Sequence, residues 1–231
     1  MPKLTTHTAE ILAQKLRADL GINSTEAVHV KTLIRKENIL TLYRPMSEHA
    51  YGLSLRHGDD KFMLINSNCT RGRQHFTVAH EFYHLYIEEN PKPHICCDGK
   101  TEEEYNADLF ASAFLMPRDA IFAYIPTDEI RNKEVSLSTI LKLEQYFSVS
   151  RTALLIRLDK LGVLSKQNYE ELKSFYPMQS AISYGYDTSL YKSGNENLVI
   201  GDFGTMARSL FDAGKISEGH YMELLNQISN E

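Results

Sequence analysis

Two histidines four residues apart, with a glutamate directly after the first, constrain this chain more than any other feature: residues 80–84 are His-Glu-Phe-Tyr-His. On a helix of about 3.6 residues per turn, His80 and His84 lie about 40° apart around the axis and about 6 Å apart along it, so both imidazoles can face one metal ion. Glu81 is turned about 100° away, outside the coordination shell but within reach of a water bound there. The spacing predicts half of a zinc site of the kind that peptidases use.

A third ligand is expected because catalytic zinc sites usually have three protein ligands and leave a fourth position to water or substrate. The best candidate is Glu104, which begins an apolar helical stripe twenty residues after His84. Asp108 lies one turn further on the same face, where it can accept a hydrogen bond from the outer nitrogen of a ligating imidazole. The sequence thus predicts one zinc ion per chain, held by His80, His84 and Glu104.

This ligand set predicts a mechanism. Zinc would lower the pKa of its bound water to about 7 and polarise a scissile carbonyl. Glu81 would act as the catalytic base, taking the proton from that water and delivering it to the leaving amine. Arg71, Arg73 and Tyr83 are candidates to stabilise the oxyanion, because they lie near the motif in sequence.

Other side chains near the motif offer alternatives. Glu102 and Glu103 stand beside Glu104, and an acidic run at a helix N-terminus often only complements the helix dipole. The apolar stripe favours Glu104 over these neighbours. His75 precedes His80 by five residues, off the ligand face, so we expect it to be in solvent or in packing.

The three cysteines are Cys69, Cys96 and Cys97. Their odd number and the adjacency of two of them disfavour an ordinary disulfide, so we expect reduced thiols. With His94, the adjacent pair forms an alternative metal cluster, although it lacks the two-pair spacing of a structural zinc site.

The composition limits the class of protein. With 231 residues, 42% of them hydrophobic, the chain can form one domain with appendages or two small domains. A formal net charge of -5 argues against broad electrostatic binding to nucleic acid or anionic lipid. No stretch approaches the roughly 18–20 apolar residues of a membrane span, and no apolar signal core follows the N-terminus, so we expect a cytoplasmic protein.

The pattern of apolar residues predicts an α+β fold. A mostly helical zinc-peptidase domain with a small antiparallel sheet is expected over residues 1–130, a helix-turn-helix-like helical segment over 131–165, and a C-terminal extension of unassigned role over 166–231. Strands are predicted at 39–43, 51–55 and 62–66, and helices at 8–20, 103–115, 138–147, 150–161, 203–211 and 217–228.

The helix pair over 138–161 supports a rival hypothesis, a DNA-binding transcriptional regulator that holds a structural zinc. Arg151 and Arg157 lie on its second helix. Against this, the same helix is covered by leucines, whereas a recognition helix needs polar side chains for base edges. A non-enzymatic interaction protein with a relic site is a third possibility, which an intact Glu81 disfavours.

Three segments resemble the ImmA/IrrE metallopeptidases, a family of gluzincin type: RQHFTVAHEFYH at 73–84, EYNADLFASAFLMP at 104–117, and FSVSRTALLIRL at 147–158, continuing into Leu161-Gly162. The resemblance covers roughly residues 30–165. Two positions depart from the family pattern: Phe82-Tyr83 replaces a common Leu-Gly, and Asp108 stands where Asn is more usual. The bulk of Tyr83 is expected to reshape the space beside the metal.

The resemblance implies His80, His84 and Glu104 as ligands and Glu81 as general base. It also implies a substrate class, because such relatives cleave a helix-turn-helix repressor and so release genes of mobile elements or of a stress response. Relatives of this kind resemble enzymes that take the substrate as an extended chain beside a sheet edge, for which residues 62–66 are the candidate strand. Direct DNA binding and membrane association are not expected.

Overall fold

Buried side chains alternate along the strands of the sheet. In β1 (Ile39–Arg44) and in most of β2 (Ala50–His57), every second side chain is buried, which is the pattern of strands with one face on a core. The computed structural model describes residues 3–88, 94–97 and 101–229. Within them the remaining strands are β3 (Asp60–Asn66), β4 (His94–Cys97) and β5 (Val199–Ile200).

The helices pack against this sheet and against one another. Three of them position the site or pack beside it: α1 (Thr6–Asp19), α3 (Arg71–Tyr86) and α4 (Glu102–Leu115). The others are α2 (Val30–Lys36), α5 (Arg118–Tyr124), α6 (Thr127–Asn132), α7 (Leu137–Phe147), α8 (Arg151–Lys160), α9 (Lys166–Ser174), α10 (Pro177–Ser183), α11 (Phe203–Asp212) and α12 (Glu218–Ser229). The predicted α+β class is confirmed.

The sheet is mixed, with the strand order β4-β2-β3-β1-β5. β2 and β3 form the expected antiparallel hairpin, with Leu53 opposite Leu64. β1 joins the other side of β3 in parallel, with Leu42 opposite Leu64. One pair in the predicted antiparallel sheet is therefore parallel.

The prediction of residues 62–66 as a free edge for substrate is wrong. They belong to β3, which has β2 on one side and β1 on the other. Its main-chain groups are used by both neighbours, so a substrate strand cannot be added there. The two ends of the sheet are β4 and β5.

Aromatic residues lock α3 against α4. The Phe82 ring meets Phe114 edge-on at 5.9 Å between centroids, and the Tyr83 ring lies 5.7 Å from that of Phe110. Phe110 and Phe114 stack on each other at 5.6 Å. Such contacts add about 0.5–1.5 kcal/mol each beyond area burial. Phe82 and Tyr83 thus fix the relative position of the two helices that carry the predicted ligands.

The segment beyond residue 166 packs on the sheet and on α7. Ile200 of β5 pairs with Thr41 of β1, and Tyr191 donates a 2.7 Å hydrogen bond to the buried carboxylate of Glu144 on α7. Residues beyond 166 therefore contribute directly to the sheet and to a buried polar contact. In the part of the chain that the structure describes, none of the helices has the length and apolar character needed to cross a membrane.

Candidate metal centre

Helix α3 places the motif at the centre of the molecule. The Thr70 side chain caps the helix by accepting a hydrogen bond from the Arg73 amide, which fixes where its first turn begins. Every residue from Thr77 to Leu85 is buried, because this part of the helix lies between the sheet and α4. His80, Glu81 and His84 are consequently held in a dry setting.

The three predicted ligands converge. His80 Nε2 lies 3.3 Å from His84 Nε2 and 3.5 Å from Glu104 Oε2, and His84 Nε2 lies 3.9 Å from Glu104 Oε1. Zinc bonds of about 2.0–2.2 Å place tetrahedral ligand atoms about 3.3–3.6 Å apart. Two of the three distances lie in this range, and the third, from His84 Nε2 to the other Glu104 oxygen, is slightly longer at 3.9 Å. Nitrogen and oxygen donors are those that zinc binds in catalytic sites.

The start of helix α4 determines which of three adjacent glutamates faces the site. Thr101 caps the helix and accepts a hydrogen bond from the Glu104 amide at 3.3 Å. This start turns Glu104 inward, where it is buried, and leaves Glu102 and Glu103 exposed. The two exposed carboxylates stand in the first turn, where they complement the helix dipole.

Carboxylates hold the outer nitrogens of both histidines. Asp108 Oδ1 lies 2.9 Å from His80 Nδ1, and Glu88 Oε2 lies 2.7 Å from His84 Nδ1. An Nδ1–H that donates to a carboxylate leaves the Nε2 lone pair free for a metal. Sequence reasoning named Asp108 but missed Glu88, whose signal was its position four residues after His84, just beyond the end of α3.

The metal-free centre favours a proton on His80. Burial alone would lower its pKa, but hydrogen bonds to Asp108, Cys96 and Glu104 raise the pKa well above the ordinary value. A metal that binds here must displace that proton.

Strand β2 holds Glu81 from the other side. Ser54 Oγ donates a 2.7 Å hydrogen bond to Glu81 Oε2. At Gly52, an added Cβ would lie 2.6 Å from Thr77 Cγ2 and 2.9 Å from Glu81 Oε1. The strand therefore approaches the helix closely only because position 52 is glycine. Sequence reasoning found this strand but not its role.

A cysteine lies beside two of these donors, His80 and Glu104. Cys96 on β4 is buried, and its Sγ is 3.3 Å from His80 Nε2. The ligand atoms of His80, Cys96 and Glu104 all lie within 4.8 Å of one another. Burial raises the pKa of the Cys96 thiol to about 11. The side chains of His94 and Cys97, the other members of the alternative cluster, lie outside the described residues.

Comparison with known proteins places this geometry in a family. The family model described as the IrrE N-terminal-like domain, of peptidase M78, matches residues 34–159, more than half of the chain.

The chain belongs to the ImmA/IrrE family.

Among solved structures, a Mycobacterium tuberculosis transcriptional regulator is similar over 66% of this chain and 46% of that chain, with 16% sequence identity and a TM-score of 0.43. The likeness spans less than half of that regulator's length. No match was found among curated proteins. The family match supports a metallopeptidase-type function.

The three predicted oxyanion candidates lie in different surroundings, and their role stays a prediction. The Tyr83 ring is buried, packs against Phe110 of α4, and meets the His84 ring edge-on with 5.5 Å between centroids. The Arg73 guanidinium lies over the Tyr51 ring at 3.9 Å. Arg71, nine residues before His80, lines a separate cavity of about 420 Å³ with His75.

His75 is a packing residue, one of the two alternatives expected. Its Nε2 is buried with no hydrogen-bond partner among the described residues. Burial, with the nearby charges of His29 and Lys31, lowers its pKa to about 4. It is therefore neutral at pH 7.

Proposed function

We propose that this chain is a zinc-dependent endopeptidase that cleaves a helix-turn-helix transcriptional repressor. The observation that carries the catalytic part is the convergence of His80 Nε2, His84 Nε2 and a Glu104 oxygen at zinc-ligand spacing. Glu81 is buried beside them on the same helix. The substrate class rests on the family resemblance alone.

The chain's residues have separate roles in the proposed reaction. When bound, zinc would lower the pKa of a water to about 7 and polarise the scissile carbonyl. Glu81, oriented by Ser54, accepts a proton during attack and returns it to the leaving amine. Asp108 and Glu88 fix the histidine rings, so that the ligands keep their orientation without reorganisation.

The rival proposal, a DNA-binding regulator, is not supported by the helix pair α7 and α8. Arg157 is buried, with Nη1 3.1 Å from Glu10 Oε1, and Arg151 is buried in an ion pair with Glu144. Both arginines are thus used inside the molecule. The exposed positions of α8 are Thr152, Ile156, Asp159 and Lys160. Of these, Lys160 alone carries a positive charge for a phosphate backbone.

The experiment that tests the proposal is co-expression of the chain with the repressor encoded next to it. Wild type should convert the repressor into two fragments whose new termini mass spectrometry can define. Glu81→Gln should leave the repressor intact, and Glu129→Gln, a change at a glutamate on α6, should cleave like wild type. Cleavage by wild type and Glu81→Gln alike, or by neither, would defeat the proposal.

A further inference from the structure

Cys96 reaches the metal centre because of how β4 pairs with β2. Cys96 pairs with Gly52 of β2. Gly52 lies two residues before Ser54, whose side chain donates a hydrogen bond to Glu81. Residues opposite each other in an antiparallel pair point to the same face of the sheet. The thiol is therefore directed toward α3, on the face where Gly52 and Ser54 meet Glu81.

An irregularity in the pairing accompanies this placement. Ala50 pairs with Cys97 and Gly52 pairs with Cys96, so β2 has one extra residue, Tyr51, between them. Bulges of this kind re-aim side chains and recur beside active sites. The bulge at Tyr51 is consistent with a functional role for the direction of the Cys96 side chain.

The donor set distinguishes two kinds of zinc site. Three protein ligands leave an open position for water and substrate, whereas four close the site. Sulfur is a strong zinc ligand, with a bond of about 2.3 Å, which places it about 3.5 Å from a nitrogen on the same tetrahedral ion. The observed 3.3 Å between Cys96 Sγ and His80 Nε2 is close to that value.

We propose that Cys96 is the fourth ligand of the metal ion held by His80, His84 and Glu104, and that it keeps the resting protein latent until β4 withdraws it. This inference rests on the metal site proposed above, but not on peptide cleavage. On coordination, the Cys96 thiol gives its proton to solvent, the sulfur–metal bond forms, and a water leaves the metal. Withdrawal reverses these changes and reopens the position.

A simple thiol–imidazole hydrogen bond is the competing explanation. In the neutral tautomer whose Nδ1–H donates to Asp108, His80 Nε2 presents its lone pair to the centre. That lone pair can either accept a hydrogen bond from the thiol or bind a metal ion. If Cys96 were only a hydrogen-bond donor, a bound metal would displace it and no sulfur–metal bond would form.

Cobalt distinguishes these outcomes, because a thiolate on Co²⁺ gives an intense charge-transfer band in the near ultraviolet. The full-length protein loaded with Co²⁺ should show this band at one metal per chain. Cys96→Ser should lose it while the weaker visible bands of four-coordinate cobalt remain. Cys69→Ser and Cys97→Ser should keep it. A wild-type spectrum without the band, or a band that persists in Cys96→Ser, overturns the proposal.

Zinc affinity gives a second readout that does not involve catalysis. In competition with a chromogenic chelator, Cys96→Ser and Cys96→Ala should both bind zinc at least about 10-fold more weakly, since even loss of an outer partner costs about that much. Circular dichroism of the zinc-free variants checks that they fold. Unchanged affinity in a folded variant contradicts coordination by Cys96.

The latent state is tested by cleavage of the repressor at saturating zinc. Cys96→Ala should cleave faster than wild type, and Cys69→Ala should not. Equal rates would overturn latency. A Cys96-dependent cobalt band without cleavage by either wild type or Cys96→Ala would refute the proposed peptidase while leaving Cys96 as a ligand. Cleavage by wild type without the band would do the reverse.

Discussion

Ser54 Oγ donates a 2.7 Å hydrogen bond to Glu81 Oε2, which ties the proposed catalytic base to a strand 27 residues earlier in the chain. Ser54→Ala should therefore lower kcat by about 10-fold or more, because a loosely held base loses its productive geometry. Zinc content should not change. Cleavage assays with metal analysis check this, with Ser183→Ala on α10 as the control. A wild-type kcat in Ser54→Ala would show that Ser54 has no role in the mechanism.

A methyl group added at Gly52 tests the same packing of β2 against α3. In Gly52→Ala the new methyl group would lie 2.6 Å from Thr77 Cγ2, so we expect a loss of about 1–3 kcal/mol in the free energy of unfolding and a displaced Glu81. Urea unfolding and cleavage measure the two effects. Gly219→Ala, where the nearest atom is at 4.0 Å, should be near neutral. Thr77→Ser should partly rescue Gly52→Ala, and no rescue would contradict the proposed clash.

The outer carboxylates should control metal affinity. Asp108→Ala and Glu88→Ala each remove the acceptor for an Nδ1–H of a ligating histidine, and we expect zinc to bind about 10–100-fold more weakly. Asp108→Asn should have a smaller effect, because its amide oxygen can still accept the hydrogen bond. Chelator competition measures the zinc affinities of the three variants. Equal affinities for wild type and both alanine variants would rule out this role.

Much of the centre could be predicted from local pattern. The spacing of His80 and His84 and the apolar stripe that begins at Glu104 follow from helical period, which the caps at Thr70 and Thr101 then position. The sheet topology could not be predicted in this way. Period-two burial tells which residues face the core, but not that β1 joins β3 in parallel.

The residues that sequence reasoning missed are those brought in by long-range pairing. Ser54 reaches Glu81 only because β2 lies beside α3. Cys96 reaches His80 through a four-residue strand whose partner is fixed by tertiary structure rather than by its own sequence. Tyr83 contacts Phe110 of α4 as well as the His84 ring, and the contact with α4 also depends on tertiary packing.

His75 should make the fold sensitive to acid. Its folded pKa is about 4, whereas an unfolded histidine titrates near 6.5. Between these values the unfolded chain binds a proton that the folded chain does not, so stability is lost as pH falls from about 6.5 toward 4, by on the order of 2–3 kcal/mol. Urea unfolding of wild type and His75→Leu at pH 7 and pH 5 checks this. An equal pH dependence in both proteins would contradict it.

The central claim is a single zinc ion with Glu81 as its base, and it is tested most directly by metal content and peptide cleavage measured together on purified wild type and Glu81→Gln. We predict zinc near one per chain in both proteins and a cleavage rate about 10²–10⁴-fold lower in Glu81→Gln. Loss of zinc from Glu81→Gln, or cleavage by it at the wild-type rate, would contradict the account.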